Sequence, residues 1–224
     1  MRGKTISRYP RAIGVIVLNP KIFVKVLDRL RMRGVEIVVP SKGINVDEIK
    51  NRVRVILVDK EVSERLAEQD KMTVNIYVIT DESQVDSVVE KALCLLYGKE
   101  EYSEVIMGVD VGPGYVAYAV ITDGEIAELG KVSEDKISDI VSKVIDIYPH
   151  KNMIIRIGAS HNGPEIASKI YSLVEGCGVR VELVEEEYTT KPTLDLDLSE
   201  RVKDKDINAA INISFKPGIK FRSQ

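Results

Sequence analysis

The sequence predicts an α/β protein of two units: an open parallel α/β sheet over residues 1–100, and a mixed unit with element order βββαβαβα over residues 104–224. Three observations predict it. Residues 12–97 alternate short apolar runs with amphipathic stretches, the pattern of successive βαβ units. Residues 98–103, Gly-Lys-Glu-Glu-Tyr-Ser, form a polar break that few contacts need cross. Beyond the break, apolar runs follow one another through glycine-rich turns, as in hairpins.

In the first unit, Ala12-Ile-Gly-Val-Ile-Val-Leu18 is a continuous apolar run of the kind buried on both faces. Asn19-Pro20 opens a helix that carries Ile22, Val26, Leu27 and Leu30 at helical spacing, and Gly34 stops it. Strands are expected at 35–39, 53–58 and 74–79, with helices at 46–51, 61–70 and 83–97. No GxGxxG or GxxxxGK[ST] follows any of these strands, so no glycine-rich phosphate cradle is encoded in residues 1–100. In the second unit, runs at 104–112, 115–121 and 125–132 form a meander, with Asp123-Gly124 as a tight turn. Ser133 is placed to cap a helix bearing Ile137, Ile140, Val141 and Val144. A strand at 153–157, a helix at 164–175, a strand at 179–184 and a helix at 205–213 complete the order.

The 224 residues suffice for two domains of ordinary size, and no apolar run approaches the roughly 20 residues of a membrane span. The basic N-terminus lacks the apolar core and cleavage site of a secretory signal, which reads as cytoplasmic. Cys94 and Cys177 fall in separate helical stretches, so neither a disulfide framework nor a cysteine metal site is expected. Net charge is −3, but residues 1–54 hold 13 Lys/Arg against 4 Asp/Glu, and residues 101–224 hold 14 against 21. That asymmetry points to a polyanion for the front of the chain, with Arg29, Arg31 and Arg33 as candidate phosphate contacts beside Arg2, Lys4, Arg8 and Arg11.

Three motifs sharpen the second unit. Met107-Gly-Val-Asp-Val-Gly-Pro-Gly114 puts an aspartate in an apolar strand before a glycine-rich turn. Glu185-Glu-Glu-Tyr-Thr-Thr190 is an acidic triplet following the last predicted strand. Asp206-Ile-Asn-Ala-Ala-Ile-Asn-Ile213 starts a helix with an aspartate and an alanine pair. In order and spacing these resemble the ribonuclease-H-like nucleases of the RuvC/YqgF type: their first hairpin, their Asp-Glu-Arg-x-Thr-Thr segment and their closing helix. The resemblance covers roughly the second half of the chain.

It implies a ribonuclease-H-like fold and a nuclease that hydrolyses phosphodiester bonds in RNA or branched DNA with Mg²⁺ or Mn²⁺, two ions together. Such hard cations take oxygen donors, and a pair of them activates water and holds the leaving oxygen. The implied catalytic residues are Asp110, Glu186 and Asp206, and the implied metal ligands are Asp110, Asp206 and one of Glu185 and Glu186. Alignment to the motif favours Glu186. Glu185 and Glu187 share one face under strand alternation, and Glu186 lies on the other. Asp110 has a reason of its own, because an ionised acid among Ile106, Met107, Val109 and Val111 is costly without a cation. Asp206 also suits a helix N-terminus through the dipole alone. Neighbouring parallel strands are expected to bring the acids together.

The chain departs from the family pattern at Arg156-Ile-Gly-Ala-Ser160, where Gly-Leu-Pro is usual, and at Glu187, where arginine is usual. Arg156 and Lys191 are the candidate replacements for that arginine, and His161 stands in the loop where ligands approach such sheets. Two other readings compete with the nuclease. One is a non-catalytic nucleic-acid-binding or scaffold protein that keeps the fold. The other is an ATP-binding module of the actin and sugar-kinase type, which shares the Asp-x-Gly hairpin but uses two such domains. For residues 1–100 a dimerising or regulatory role, with a homodimer as the result, stands beside nucleic-acid binding.

Overall fold

The computed structural model describes residues 12–159, 162–185 and 203–221, and the chain divides into two compact units, Met1–Glu101 and Tyr102–Gln224. The first unit is a parallel sheet of β1 (Ala12–Ile16), β2 (Glu36–Val38), β3 (Val55–Asp59) and β4 (Asn75–Ile79), in the order β2-β1-β3-β4. Strand alternation sorts the apolar runs onto two cores. Ile13, Val15, Val55 and Leu57 pack with Ile22, Val26 and Leu30 of α1 (Pro20–Met32) and with Val85, Val89 and Leu93 of α5 (Val85–Leu96). Ala12, Ile16, Ile56 and Val58 pack on the opposite face with α2 (Val46–Ile49) and α3 (Lys60–Arg65). A parallel sheet covered on both faces needs strands that are apolar throughout, and β1 and β3 are buried along their whole length.

The expected helix over 61–70 is broken in two, as α3 and α4 (Glu68–Thr73). Leu66 adopts extended backbone and turns its side chain into the core, which stops α3 there. At the point where the strand order reverses, β1 and β3 are neighbours, and their carboxyl ends are where open α/β sheets receive ligands. Here that position is closed by a carboxylate. Asp59 is 3% exposed, accepts from the amides of Leu18 (2.8 Å) and Asn19 (2.7 Å), and caps α3 through Val62 (3.0 Å). The amides that would cradle a phosphate are taken by an anion of the chain itself.

The second unit is a six-stranded mixed sheet in the order β10-β9-β8-β5-β6-β7. β5 (Tyr102–Gly112), β6 (Tyr115–Thr122) and β7 (Glu125–Ser133) meander antiparallel, and β8 (His150–Gly158) and β9 (Arg180–Val184) run parallel to β5. Three antiparallel strands followed by two that run parallel to the first is the order that the sequence resemblance implies. A two-residue strand, β10 (Ile219–Lys220), adds an antiparallel edge that the sequence pattern did not predict. Asp123 and Gly124 both take positive φ, 48° and 90°, as the tight turn requires. Ser133 precedes a 3₁₀ turn, with no side-chain capping bond, and α6 (Ile137–Ile147) follows that turn. α7 (Gly163–Val174) lies between β8 and β9 in the chain.

The last helix, α8 (Lys205–Phe215), packs across β5 and β6 where the sheet is lined by small residues, with Ala117 and Ala119 against Ala210 and Ile211. Gly108 permits the approach. A Cβ there would stand 2.1 Å from the Ala210 carbonyl oxygen and 2.8 Å from the backbone nitrogen of Ser214, and backbone cannot move aside as a side-chain tip can. Gly108→Ala is therefore expected to destabilise the second unit by about 1–3 kcal/mol or more through overpacking, measured by urea unfolding. A midpoint equal to that of the native chain would show that α8 adjusts freely.

Candidate active site

α8 runs antiparallel to β5, with Ala210 and Ser214 over Gly108, so its N-terminus lies over the carboxyl end of β5. Asp110 stands in that end of the strand, half-buried, on the same face as Gly108. Across the sheet it pairs with Ala117, which in turn pairs with Lys131 of β7. A methyl group thus separates a carboxylate strand from an ammonium strand, two interstrand spacings or about 10 Å across.

The helix N-terminus fills the space above. Asp204 is the N-cap of α8, accepting from the amides of Asp206 (2.9 Å) and Ile207 (3.4 Å), and this sets Asp206 in the first turn. Asp206 is joined to the Lys131 ammonium by a hydrogen-bonded ion pair, and Asp204 Oδ2 lies 3.8 Å from the same nitrogen. Lys131 Nζ also sits 4.0 Å from the centroid of the Tyr115 ring. That ring crosses β5 at Gly112, where a Cβ would come within 2.4 Å of it, so the glycine is what lets the tyrosine lie beside Asp110.

The electrostatics follow this arrangement. Burial, the charge of Asp206 and a hydrogen bond to its carboxylate hold the Tyr115 hydroxyl above the usual tyrosine range, and Asp110 pushes the same way while Lys131 opposes. The Lys131 hydrogen bond draws Asp206 below the usual aspartate range against the cost of burial. The same bond raises Lys131, with Asp204 adding to it. A lowered folded-state value means that the pair's contribution is complete above the unfolded aspartate range and is lost as pH falls through the lowered value. The Asp206 carboxyl carbon is accordingly expected to titrate, by NMR, below an ordinary aspartate, and Lys131→Met to move its midpoint upward. An unmoved midpoint would remove Lys131 as the cause.

The other candidates from sequence lie elsewhere. Glu186, His161 and Lys191 fall outside the described residues. Glu185 is exposed just beyond β9, and β9 is not a neighbour of β5 as expected, because β8 lies between them. Register puts Arg156 opposite Gly108 and Glu182 opposite Arg156, so Glu182 and Val184 share the α8 face and Glu185 follows on the other parity. Arg156, expected at a phosphate, is engaged within the fold: its Nε donates to Glu182 (3.0 Å) and its Nη1 to the Ser214 carbonyl near the end of α8 (2.6 Å). In the first unit, Arg29 and Arg33 are buried around Glu90, at 3.1 and 3.6 Å, while Arg31 is exposed beside Asp28. Tyr115, Lys131 and Asp204 were not singled out from sequence. Among the described residues no group of three or more His, Cys, Asp or Glu side chains is placed to hold a metal ion.

The sequence matches no protein-family model, and no curated protein matches it. Among solved structures it is similar to a ROK family transcriptional regulator homologous to the E. coli MLC protein, at 11% identity over 74% of this chain and 47% of that one, with a TM-score of 0.27. It is also similar to Clostridium butyricum Argonaute bound to a guide DNA and a target DNA, at 12% identity over 80% of this chain and 35% of that one, with a TM-score of 0.22. A third likeness is to the Aquifex aeolicus PPX-GPPA enzyme, at 14% identity over 67% and 54%, with a TM-score of 0.17. The chain spans under half the length of the first and about a third of the second. At these TM-scores the likenesses carry no argument about function. No helix of the described residues is long and apolar enough to cross a membrane.

Proposed function

We propose that the second unit is a Mg²⁺- or Mn²⁺-dependent nuclease acting on structured nucleic acid, RNA or branched DNA, with its centre at Asp110 and Asp206. One observation carries this. Lys131, in register with Ala117 opposite Asp110, is paired with Asp206 and lies 4.0 Å from the Tyr115 ring centroid, which supports a centre at the carboxyl end of β5 that draws on both strand and helix. The donors are of the hard oxygen type that such ions select, and Glu186 is the third acid the motif pattern supplies. A bound divalent ion would lower the pKa of a water and offset charge on the phosphate. Asp110 would hold it, the Tyr115 hydroxyl would donate to a phosphate oxygen or to Asp206, and Lys131 would bring a positive charge to the scissile group. The test is cleavage of a four-way DNA junction, a DNA duplex and an RNA hairpin by the full chain in Mg²⁺ and in Mn²⁺. Intact substrates throughout would sink the proposal.

A second reading, a binding module without catalysis, draws support from the Lys131 ammonium already neutralising Asp206. It is distinguished by affinity for the same substrates without cleavage. On either reading the exposed cations of the first unit supply nonspecific affinity, and of its arginine trio only Arg31 is exposed enough to do so. Arg31→Ala is expected to lower the logarithmic salt slope of duplex binding by about 0.9. An unchanged slope in a salt titration would take Arg31 off the interface.

A further inference from the structure

We propose that the chain self-associates through β4, the outer strand of the first unit's sheet, which pairs antiparallel with β4 of a second copy and joins two four-stranded sheets into one of eight. This does not depend on the nuclease reading. Among the described residues β4 is hydrogen-bonded to a strand on one side alone, β3, so its other side presents a row of backbone amides and carbonyls that a further strand can take up. The other sheet edges are guarded. β2 is three residues long and opens on the exposed Glu36. β7 carries Glu125, Glu128 and Lys131 and holds an extra residue, Ala127, since Ile121 pairs with Ile126 but Val120 pairs with Glu128. β10 is two residues, one of them Lys220, with Pro217 just before it. β4 has none of these devices: Asn-Ile-Tyr-Val-Ile runs five residues without a charge, a proline or a break in its register against β3.

The side chains say what kind of strand fits. Asn75 turns its amide back toward β3, donating to the Arg54 carbonyl (3.3 Å). Ile76 and Tyr77 reach only partway into the cores on their two faces, Val78 is 37% exposed, and Met72, three positions before the strand, is 87% exposed. A polyanion finds no cation on this strand, and a charged peptide finds no counter-charge. An uncharged strand is complementary to its own reversed copy. With a two-fold axis at Tyr77, Ile76 lies opposite Val78 of the partner subunit and Val78 opposite Ile76 of the partner subunit. Four β-branched side chains then meet on one face, and no like charges are opposed. A five-residue edge is at the small end of specific interfaces, so the association is of about micromolar strength.

The experiment is sedimentation equilibrium of the full chain from about 1 to 100 µM, for the native chain, Val78→Lys and Val78→Thr, with the urea midpoint of each alongside. Val78→Lys places a charge on the edge, as guarded edges do, and two copies of it enter each dimer. It is expected to weaken dimerisation about ten- to a hundredfold at an unchanged urea midpoint, whereas Val78→Thr, which keeps the branched shape, is expected to stay within about threefold of the native chain. A second measurement needs no variant: amide hydrogen exchange over residues 75–79 of the native chain, followed by mass spectrometry, is expected to slow as protein concentration rises through the dimerisation range. A native chain that stays monomeric throughout would overturn the inference. So would a dimer that Val78→Lys retains at native strength, or one that forms with no slowing of exchange in β4, since either would place the contact on another surface.

Discussion

Asp110→Asn is expected to lower nucleic-acid cleavage by on the order of a hundredfold or more while leaving the fold in place. Asparagine keeps the shape of the side chain and one carbonyl acceptor but loses the charge that the proposed nuclease would use to hold a hard cation. Asp110 is half-buried at the end of β5, so the exchange adds no volume and exposes no core. The measurement is single-turnover cleavage in Mn²⁺ at saturating substrate, with thermal unfolding alongside. A second readout belongs to the same variant. Because Asp110 contributes to the raised Tyr115 hydroxyl, its neutralisation is expected to bring that hydroxyl's titration midpoint down. A lowered midpoint with undiminished cleavage would show that the carboxylate sits where the structure has it yet takes no part in the reaction.

What the sequence made legible, and what it hid, divides along local and non-local lines. β1 and β3 could be read because a strand buried on both faces is apolar at every position, and α1 because Asn19 and Pro20 mark its start chemically. Asp110 and Asp206 stood out because each breaks a local rule or starts an element. Lys131 had no such mark. From the Asp123-Gly124 turn alone, register would set Lys131 opposite Val116, on the other face of the sheet, and only the bulge at Ala127 reverses this. Strand order was hidden for the same reason: the parallel strands were expected to bring the acids together, but β8 lies between β5 and β9. Charge counting failed in its own way at Arg29 and Arg33. A cation in an amphipathic helix reads as solvated unless its partner is known, and here the partner is some sixty residues away in α5.

That partner gives the second large effect. Glu90 is 0% exposed, and two guanidinium groups converge on it, Arg29 at 3.1 Å and Arg33 at 3.6 Å, with side chains only 9% and 6% exposed. The cluster joins α1 to α5 on one face of the first sheet. Removing the carboxylate leaves two positive charges with little access to water, and breaking a buried pair in this way costs about 3–5 kcal/mol. Glu90→Gln, nearly isosteric, isolates the loss of charge from any loss of packing. Against a total stability of about 5–15 kcal/mol for a domain of this size, the first unit should unfold at much lower urea concentration, seen as an early transition of the full chain. The triple variant Glu90→Leu, Arg29→Met, Arg33→Leu is expected to recover most of that loss, since apolar replacement of the whole cluster also removes the cost of burying its charges. An unshifted transition in Glu90→Gln would mean that water reaches the cluster. It would also return Arg29 and Arg33 to the set of cations available to phosphate, whereas the expected collapse makes charge reversal at either arginine a test of folding and leaves Arg31 as the position at which binding can be probed.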